Sequence, residues 1–539
     1  MRRLVLLVLL AFPIVAQEKL VESIEVHVVN VDVVVTDRAG HPIHGLTRDD
    51  FELFENGKPQ PLSNFYEVRP DETGPISTST QAAPAAAAVP PAARARHIIM
   101  FIDDYSVEQR MRMQVLDSLA KFVDTQMHEG DSASVVSWSH STKVLAPFTT
   151  DKAALKAAIK NLAPRASIQS RIEDMRVRTI CADDARARGR ARTSAKDDCE
   201  AMIRARVDEE WILERDLIEA MRVTMASLAG IDGKKVMIIA GAQLPQLPGI
   251  DLYQYFNQLF GGTTSPYMQA SHQSQKLSIA ELAREANANG VTLYTIDTND
   301  SRNNVSAEFG ETLSPDESFM EFTNTAAAFQ TLAEITGGLA IANTGNTDLA
   351  FQTVANDLTS WYSLGYRPSD DKSTGNRSLK VKMKNPAYRV RARQTYAFKS
   401  NDEQMSDRVL ANVVHEGMKS DWAIQVLTGT PEKDGRNFRV PIEVLVPATV
   451  TLLPAEGNKV AGGFDVFVAV GDADGRMSSV TKHAQPISIP SVAEKGVRAH
   501  PLIFNAVLLV RPGKGTVSVG VIDEISNTAG FARANIVAK

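Results

Sequence analysis

Two adjacent aspartates close an apolar run in the stretch HIIMFIDDYSVEQRMRM, His97 to Met113. Asp103 and Asp104 are followed by a polar turn and then by apolar residues at helical spacing. Carboxylates at the carboxyl end of a buried strand stand where an α/β sheet presents its ligands. Such oxygens suit a hard divalent cation: Mg²⁺ requires near-octahedral oxygen geometry and Ca²⁺ takes six or more oxygens. Ser106 and Glu108 lie close by and extend the set, giving D-x-S-x-E from Asp104 to Glu108. The competing reading is a strand-to-helix turn in which Asp103 holds the backbone.

Other chemistries find less support. No G-x-S-x-G, P-loop or H-E-x-x-H string occurs, and the ten histidines show no ligand spacing. No catalytic residue is assigned, and the chain is not expected to be an enzyme; an exported hydrolase is the weakest alternative. A net charge of −6 and a pI near 6.0 give no reason to expect nucleic acid as a partner. The segment QLPQLPGIDLYQYFNQLFGG, Gln243 to Gly262, reads as an aromatic-rich loop over the sheet's carboxyl edge. It offers Tyr253, Tyr255, Phe256 and Phe260 as a partner surface, or is simply a lid over the site beneath it.

These residues need a scaffold. From His97 to about Ser363, β-branched apolar runs alternate with segments of helical periodicity, which means a doubly wound, mostly parallel sheet with helices on both faces. The α/β region is placed at 96–361. An insert at 164–212 is charged and poor in Gly and Pro, and reads as a helical hairpin turning near Gly189 to Ser194, with Thr193 or Ser194 as N-cap of its second helix. Cys181 and Cys199, the only cysteines, flank that turn at similar distances, so an antiparallel hairpin would bring them together as a disulfide.

The flanks are β-rich. Residues 17–69 and 362–398 are each too small to be stable alone and are expected to share one discontinuous β-sandwich. Between the first flank and the α/β region lies an Ala/Pro linker at 70–95. From about Asn401, strands recur every ten to fifteen residues, which places an Ig-like antiparallel β-sandwich at 401–539. At the amino end, MRRLVLLVLLAFPIVAQ reads as a signal peptide, residues 1–16, so the chain is expected to be exported: periplasmic, envelope-associated or secreted. No later segment is long and apolar enough for an integral membrane span.

The α/β region resembles a von Willebrand factor A domain. With its flanks, VNVDVVVTDRAGHPIHGLTRDDFELFENGKPQPLSNF before it, LAEITGGLAIAN within it and WYSLGYRP after it, the chain is similar to the VWFA-related family of exported proteins described from Acidobacteria. The resemblance implies a metal-ion-dependent adhesion site in competent members: D-x-S-x-S after the first strand, a threonine from a separate loop and an aspartate after the fourth strand. Asp103 matches the first aspartate. Tyr105 and Val107 then stand where the serines belong, Ala240 stands where the second aspartate belongs, and the helical insert occupies the threonine's loop. The expectation is a degenerate site that needs no cofactor, in an exported protein that binds an unidentified protein partner. The alternative is a metal-dependent adhesion module whose Mg²⁺ or Ca²⁺ sits in a shifted register on Asp103, Asp104, Ser106 and Glu108.

Overall fold

Consecutive apolar residues with no polar alternation form strands covered on both faces. Three such runs, HIIMFID, KKVMIIAG and VTLYTID, make the middle of the central sheet. The computed structural model describes residues 28–69, 95–107, 109–162, 169–186, 190–231, 233–261, 265–298, 314–342, 346–368, 375–414, 420–472 and 477–539. The signal-peptide reading, nearly all of the linker reading and Glu108 fall outside them.

The amino-terminal flank supplies β1 (Val29–Thr36), β2 (Phe51–Glu55), β3 (Lys58–Gln60) and β4 (Leu62–Val68). The α/β region follows with β5 (Arg96–Asp103), α1 (Gln109–Gln126), β6 (Ser132–Trp138), β7 (Thr142–Thr149) and α2 (Lys152–Lys160). It continues with α3 (Gln169–Ala185), α4 (Arg190–Ala226), β8 (Lys234–Gly241), α5 (Ile250–Phe260), α6 (Pro266–Ala270), α7 (Lys276–Ala288) and β9 (Val291–Asp297). It closes with α8 (Pro315–Thr336), β10 (Ala340–Ile341) and α9 (Thr347–Asp357). The sheet order is β10-β9-β8-β5-β6-β7, parallel throughout except for β7 at one edge. Ile98, Met100 and Ile102 point to one face, packed under α1, α2 and α9; Ile99 and Phe101 point to the other, under α4, α7 and α8.

The second flank contributes β11 (Trp361–Tyr366), β12 (Gly375–Met383), β13 (Arg389–Ala392) and β14 (Thr395–Phe398). These pair with the first flank in two antiparallel sheets, β13-β1-β11-β4 and β14-β12-β2-β3, around Val31, Val33, Phe51, Leu53 and Leu364. The TGG of LAEITGGLAIAN acquires a physical reason at this junction. Gly337 ends α8 at φ 80°, and a Cβ there would meet the backbone of Ala392 at 2.6 Å. A Cβ on Gly338 would lie 1.9 Å from the Leu293 carbonyl oxygen. A side chain at Gly337 would force the flank and the α/β region apart, and one at Gly338 would push the end of α8 off β9.

The carboxyl-terminal part corrects one expectation. It opens on a helix, α10 (Asn401–Val414), not a strand. Met405, Val409 and Val413 pack on Phe467, Ala469 and Ile522 of the outer sheet face. Two antiparallel sheets follow, built from β15 (Gln425–Thr428), β16 (Glu432–Asp434), β17 (Asn437–Val446), β18 (Leu452–Ala455), β19 (Lys459–Asp472), β20 (Thr481–Pro490), β21 (Leu502–Val510), β22 (Gly513–Asp523) and β23 (Ala529–Ala538). Among the described residues, no helix is long and apolar enough to cross a membrane.

Candidate functional site

Asp103 sits at the last position of β5 and is 3% exposed. Its carboxylate accepts from the backbone N–H groups of Tyr105 (3.2 Å) and Ser106 (3.3 Å) and from the Ser106 hydroxyl (2.5 Å). Ser106 Oγ in turn accepts from the Ala242 N–H at 2.9 Å, so the hydroxyl ties the end of β5 to the end of β8. Asp103 therefore holds the turn. Burial, the largest influence, pushes its carboxyl up to about 7, against the bonds from Ser106 and Tyr105, which favour the charged form.

The parallel register corrects the position opposite. Ile102 pairs with Ala240, so the residue beside Asp103 is Gly241. A Cβ on Gly241 would lie 3.1 Å from the Asp103 Cβ. Ala240 points into the core on the α1 face. Asp297, fully buried, ends β9 on the far side of Gly241. The strand that would carry a second carboxylate next to Asp103 thus carries a hydrogen atom.

The shifted register meets a different obstacle. Asp104 is 6% exposed, and Arg112 Nε donates to its carboxylate at 2.5 Å. The guanidinium, itself 2% exposed, also donates to the Leu162 carbonyl. An aspartate already neutralised by a buried arginine is a poor cation ligand. Among the described residues, no group of three or more Asp, Glu, His or Cys side chains is arranged to hold a metal ion.

The space above Asp103 is filled by α4. This helix is 37 residues long and joins the insert's second arm to the helix that covers the sheet, so the insert does not end at 212. Thr193 and Ser194 lie inside it, not at its cap. Tyr105, Arg206, Glu210, Glu214 and Gln243 enclose with Asp103 a cavity of about 20 Å³, room for about one water. Neither carboxylate oxygen of Glu214 has a hydrogen-bond partner among the described residues. Burial first, then the neighbouring Glu210, raises Glu214 well above the ordinary carboxyl range. Burial and Asp174 push Glu210 up to about 8. The lid thus brings two carboxyl groups, both raised by burial, near a third.

The hairpin is fastened at several points. Cys181 on α3 and Cys199 on α4 form a disulfide, with Cα atoms 5.2 Å apart. Arg178 donates to Asp251 at 2.6 Å and to Glu317 at 2.7 Å. Arg206 donates to Asp174 at 2.6 Å. Gln243–Gly262 is not the loop the sequence suggested: α5 occupies most of it. Tyr253 and Phe256 are buried with the disulfide, and Phe260 packs partly against the same cluster. Tyr255 lies under the Arg178 guanidinium at 4.8 Å, and its hydroxyl donates to the Arg178 carbonyl. These aromatics hold the hairpin down, with Tyr255 and Phe260 left half-buried. Removing the bridge with Cys181→Ser and Cys199→Ser is expected to lower hairpin stability by about 3 kcal/mol, read as faster amide exchange in α3.

A larger cavity, about 390 Å³, lies between β6, β7 and α4, walled by Val136, Trp138, Val144, Phe148, Ala220 and Val223. The hydroxyls of Ser134, Thr224 and Ser227 along it each donate to a backbone carbonyl. His140, Ser141, Thr142, Asp216 and Glu219 also line it.

Comparison with known proteins adds little. The chain matches no protein-family model and no curated protein. Solved structures of similar chains include the von Willebrand factor domain of the type V pili tip protein Mfa5 from Porphyromonas gingivalis: 12% identity, 48% of this chain, 94% of that one, TM-score 0.24. Another is the conserved hypothetical protein BatB from Bacteroides thetaiotaomicron: 10% identity, 49% of this chain, 98% of that one, TM-score 0.24. Likeness at this level carries no argument, and the architecture rests on the strand register given above.

Proposed function

We propose that this chain is an exported, non-catalytic protein–protein interaction protein. Its von Willebrand factor A-like domain has a closed, metal-independent carboxyl edge. The observation that carries the reading is the seating of α4 over Asp103, with Gly241 in the adjoining strand position. An adhesion site of the metal type needs a cation with one coordination position open to a partner's carboxylate. Here that approach is occupied by Glu210, Glu214 and Leu213. The fixed turn at Asp103 and the capture of Asp104 by Arg112 support the same reading. Partner recognition is then left to surfaces away from this edge.

Affinity capture from the native envelope fraction tests the proposal. Proteins retained by the immobilised chain are expected to be the same in EDTA as in Mg²⁺, and none is expected to elute on chelation. A partner released by EDTA and held again by Mg²⁺ would replace this reading with the metal-dependent adhesion module.

A further inference from the structure

The carboxyl-terminal sandwich guards its strand edges unevenly. β16 is three residues long and fully charged: Glu432, Lys433, Asp434. β20 carries Lys482, Pro486 and Pro490. The outer edge of β23 is met by Trp422, which bridges Gly530, and by Ser420, whose Oγ accepts from the Phe531 N–H at 2.9 Å. β21 has none of these protections. Its nine residues, LIFNAVLLV, contain no charge and no proline. Among the described residues it pairs with β17 alone, and its backbone makes no hydrogen bond outside that ladder. On its outward side Ile503, Val507 and Leu509 are 55%, 55% and 63% exposed.

A long, uncharged edge strand with apolar outward side chains is a template for another strand. We propose that its occupant is β21 of a second copy of this chain, paired antiparallel across a twofold axis at Ala506. The partner that fits must itself be uncharged, extended and apolar on one side, and β21 meets that description. A twofold through Ala506 uses all nine residues of each strand. It sets Ile503 against Leu509 and Asn505 against Val507. Arg439 and Glu443, which pair with Leu509 and Asn505 from β17, stay one strand back from the seam, so no like charges are apposed there. The six outward apolar side chains, with Asn505 of each copy among them, lie on one face of a continuous sheet. Such an interface is isologous and closes at two copies. It is independent of the reading of Asp103.

Sedimentation equilibrium on the full chain tests this. At concentrations on the order of 10 μM, where a micromolar Kd populates the complex, the wild type is expected at twice the monomer mass. The double variant Ile503→Lys, Val507→Lys is expected at the monomer mass with an unchanged circular dichroism spectrum. Amide exchange in 502–510 gives a second readout that needs no variant: protection is expected to rise with protein concentration. A monomeric wild type across this range overturns the proposal. So does a double variant that still dimerises, or exchange in β21 that does not depend on concentration.

Discussion

Arg178→Met is expected to destabilise the insert by about 3–5 kcal/mol, the usual cost of removing one partner from a buried charge pair. Arg178 is 3% exposed and bridges Asp251 at the start of α5 to Glu317 at the start of α8. Glu317 is buried too. Its other oxygen accepts from the Ser314 N–H in the capping box of α8. Methionine matches much of the arginine's apolar stem, so packing changes less than charge. Two carboxylates are then left in a site with little water. The expected signature is loss of exchange protection in α3 together with a lower unfolding temperature. Arg186→Met is the control. Its pair with Asp183 at 2.6 Å is exposed, and the expected change is about 0.5 kcal/mol or less. Equal effects from the two variants would show that the Arg178 network does not fasten the hairpin.

The second large effect concerns pH. Asp103, Glu210 and Glu214 all have folded-state pKa values raised above the ordinary range, chiefly by burial. A carboxyl raised in the folded state holds a proton that the unfolded chain has already released. Its contribution to stability is full below the unfolded value, 3.8 for Asp103 and 4.5 for the two glutamates, and is lost as the pH climbs through the folded value. With Glu210 at about 8 and Asp103 at about 7, the window runs from roughly pH 4 to 8. The wild type is therefore expected to lose stability steadily across it. Glu214→Gln removes one of these protons from the balance and leaves the shape nearly unchanged. At pH 8 the variant is expected to exceed the wild type by on the order of 1–3 kcal/mol, and at pH 4.5 to equal it. Thermal unfolding of both proteins across this range is the measurement. A pH-independent difference between them would mean that Glu214 is not a buried acid.

The scaffold was legible where one physical rule dominates. Strands buried on both faces must be continuously apolar, and HIIMFID, KKVMIIAG and VTLYTID are. Strands with one solvated face alternate, as Arg439, Pro441 and Glu443 do against Val440, Ile442 and Val444 in β17. The lid was not legible. Residues 208–216, DEEWILERD, have the composition of a solvated helix face, and nothing local shows that Glu210 and Glu214 turn inward on an unbroken helix. α5 was mistaken for a loop because glycines bound it on both sides and no side chain caps its start. α10 was missed because a first turn rich in polar residues hid the spacing of Met405, Val409 and Val413. At the candidate site, Asp103 could be placed from the end of its strand. The neighbour could not. A shift of one residue separates Ala240 in the core from Gly241 beside the carboxylate, and only the pairing of β5 with β8 fixes it.

The carboxyl edge at Asp103 is covered by α4 and is expected to bind no cation. Titration calorimetry with Mn²⁺ and Mg²⁺, paired with thermal unfolding of the wild type and Asp103→Ala, tests it most directly. A ligand that binds only the folded state raises the unfolding temperature in step with occupancy. No saturable heat is expected at millimolar metal, and no rise in unfolding temperature that depends on Asp103. A stoichiometric heat, with a rise of several degrees that Asp103→Ala abolishes, would contradict this and show that the lid opens to complete a metal site.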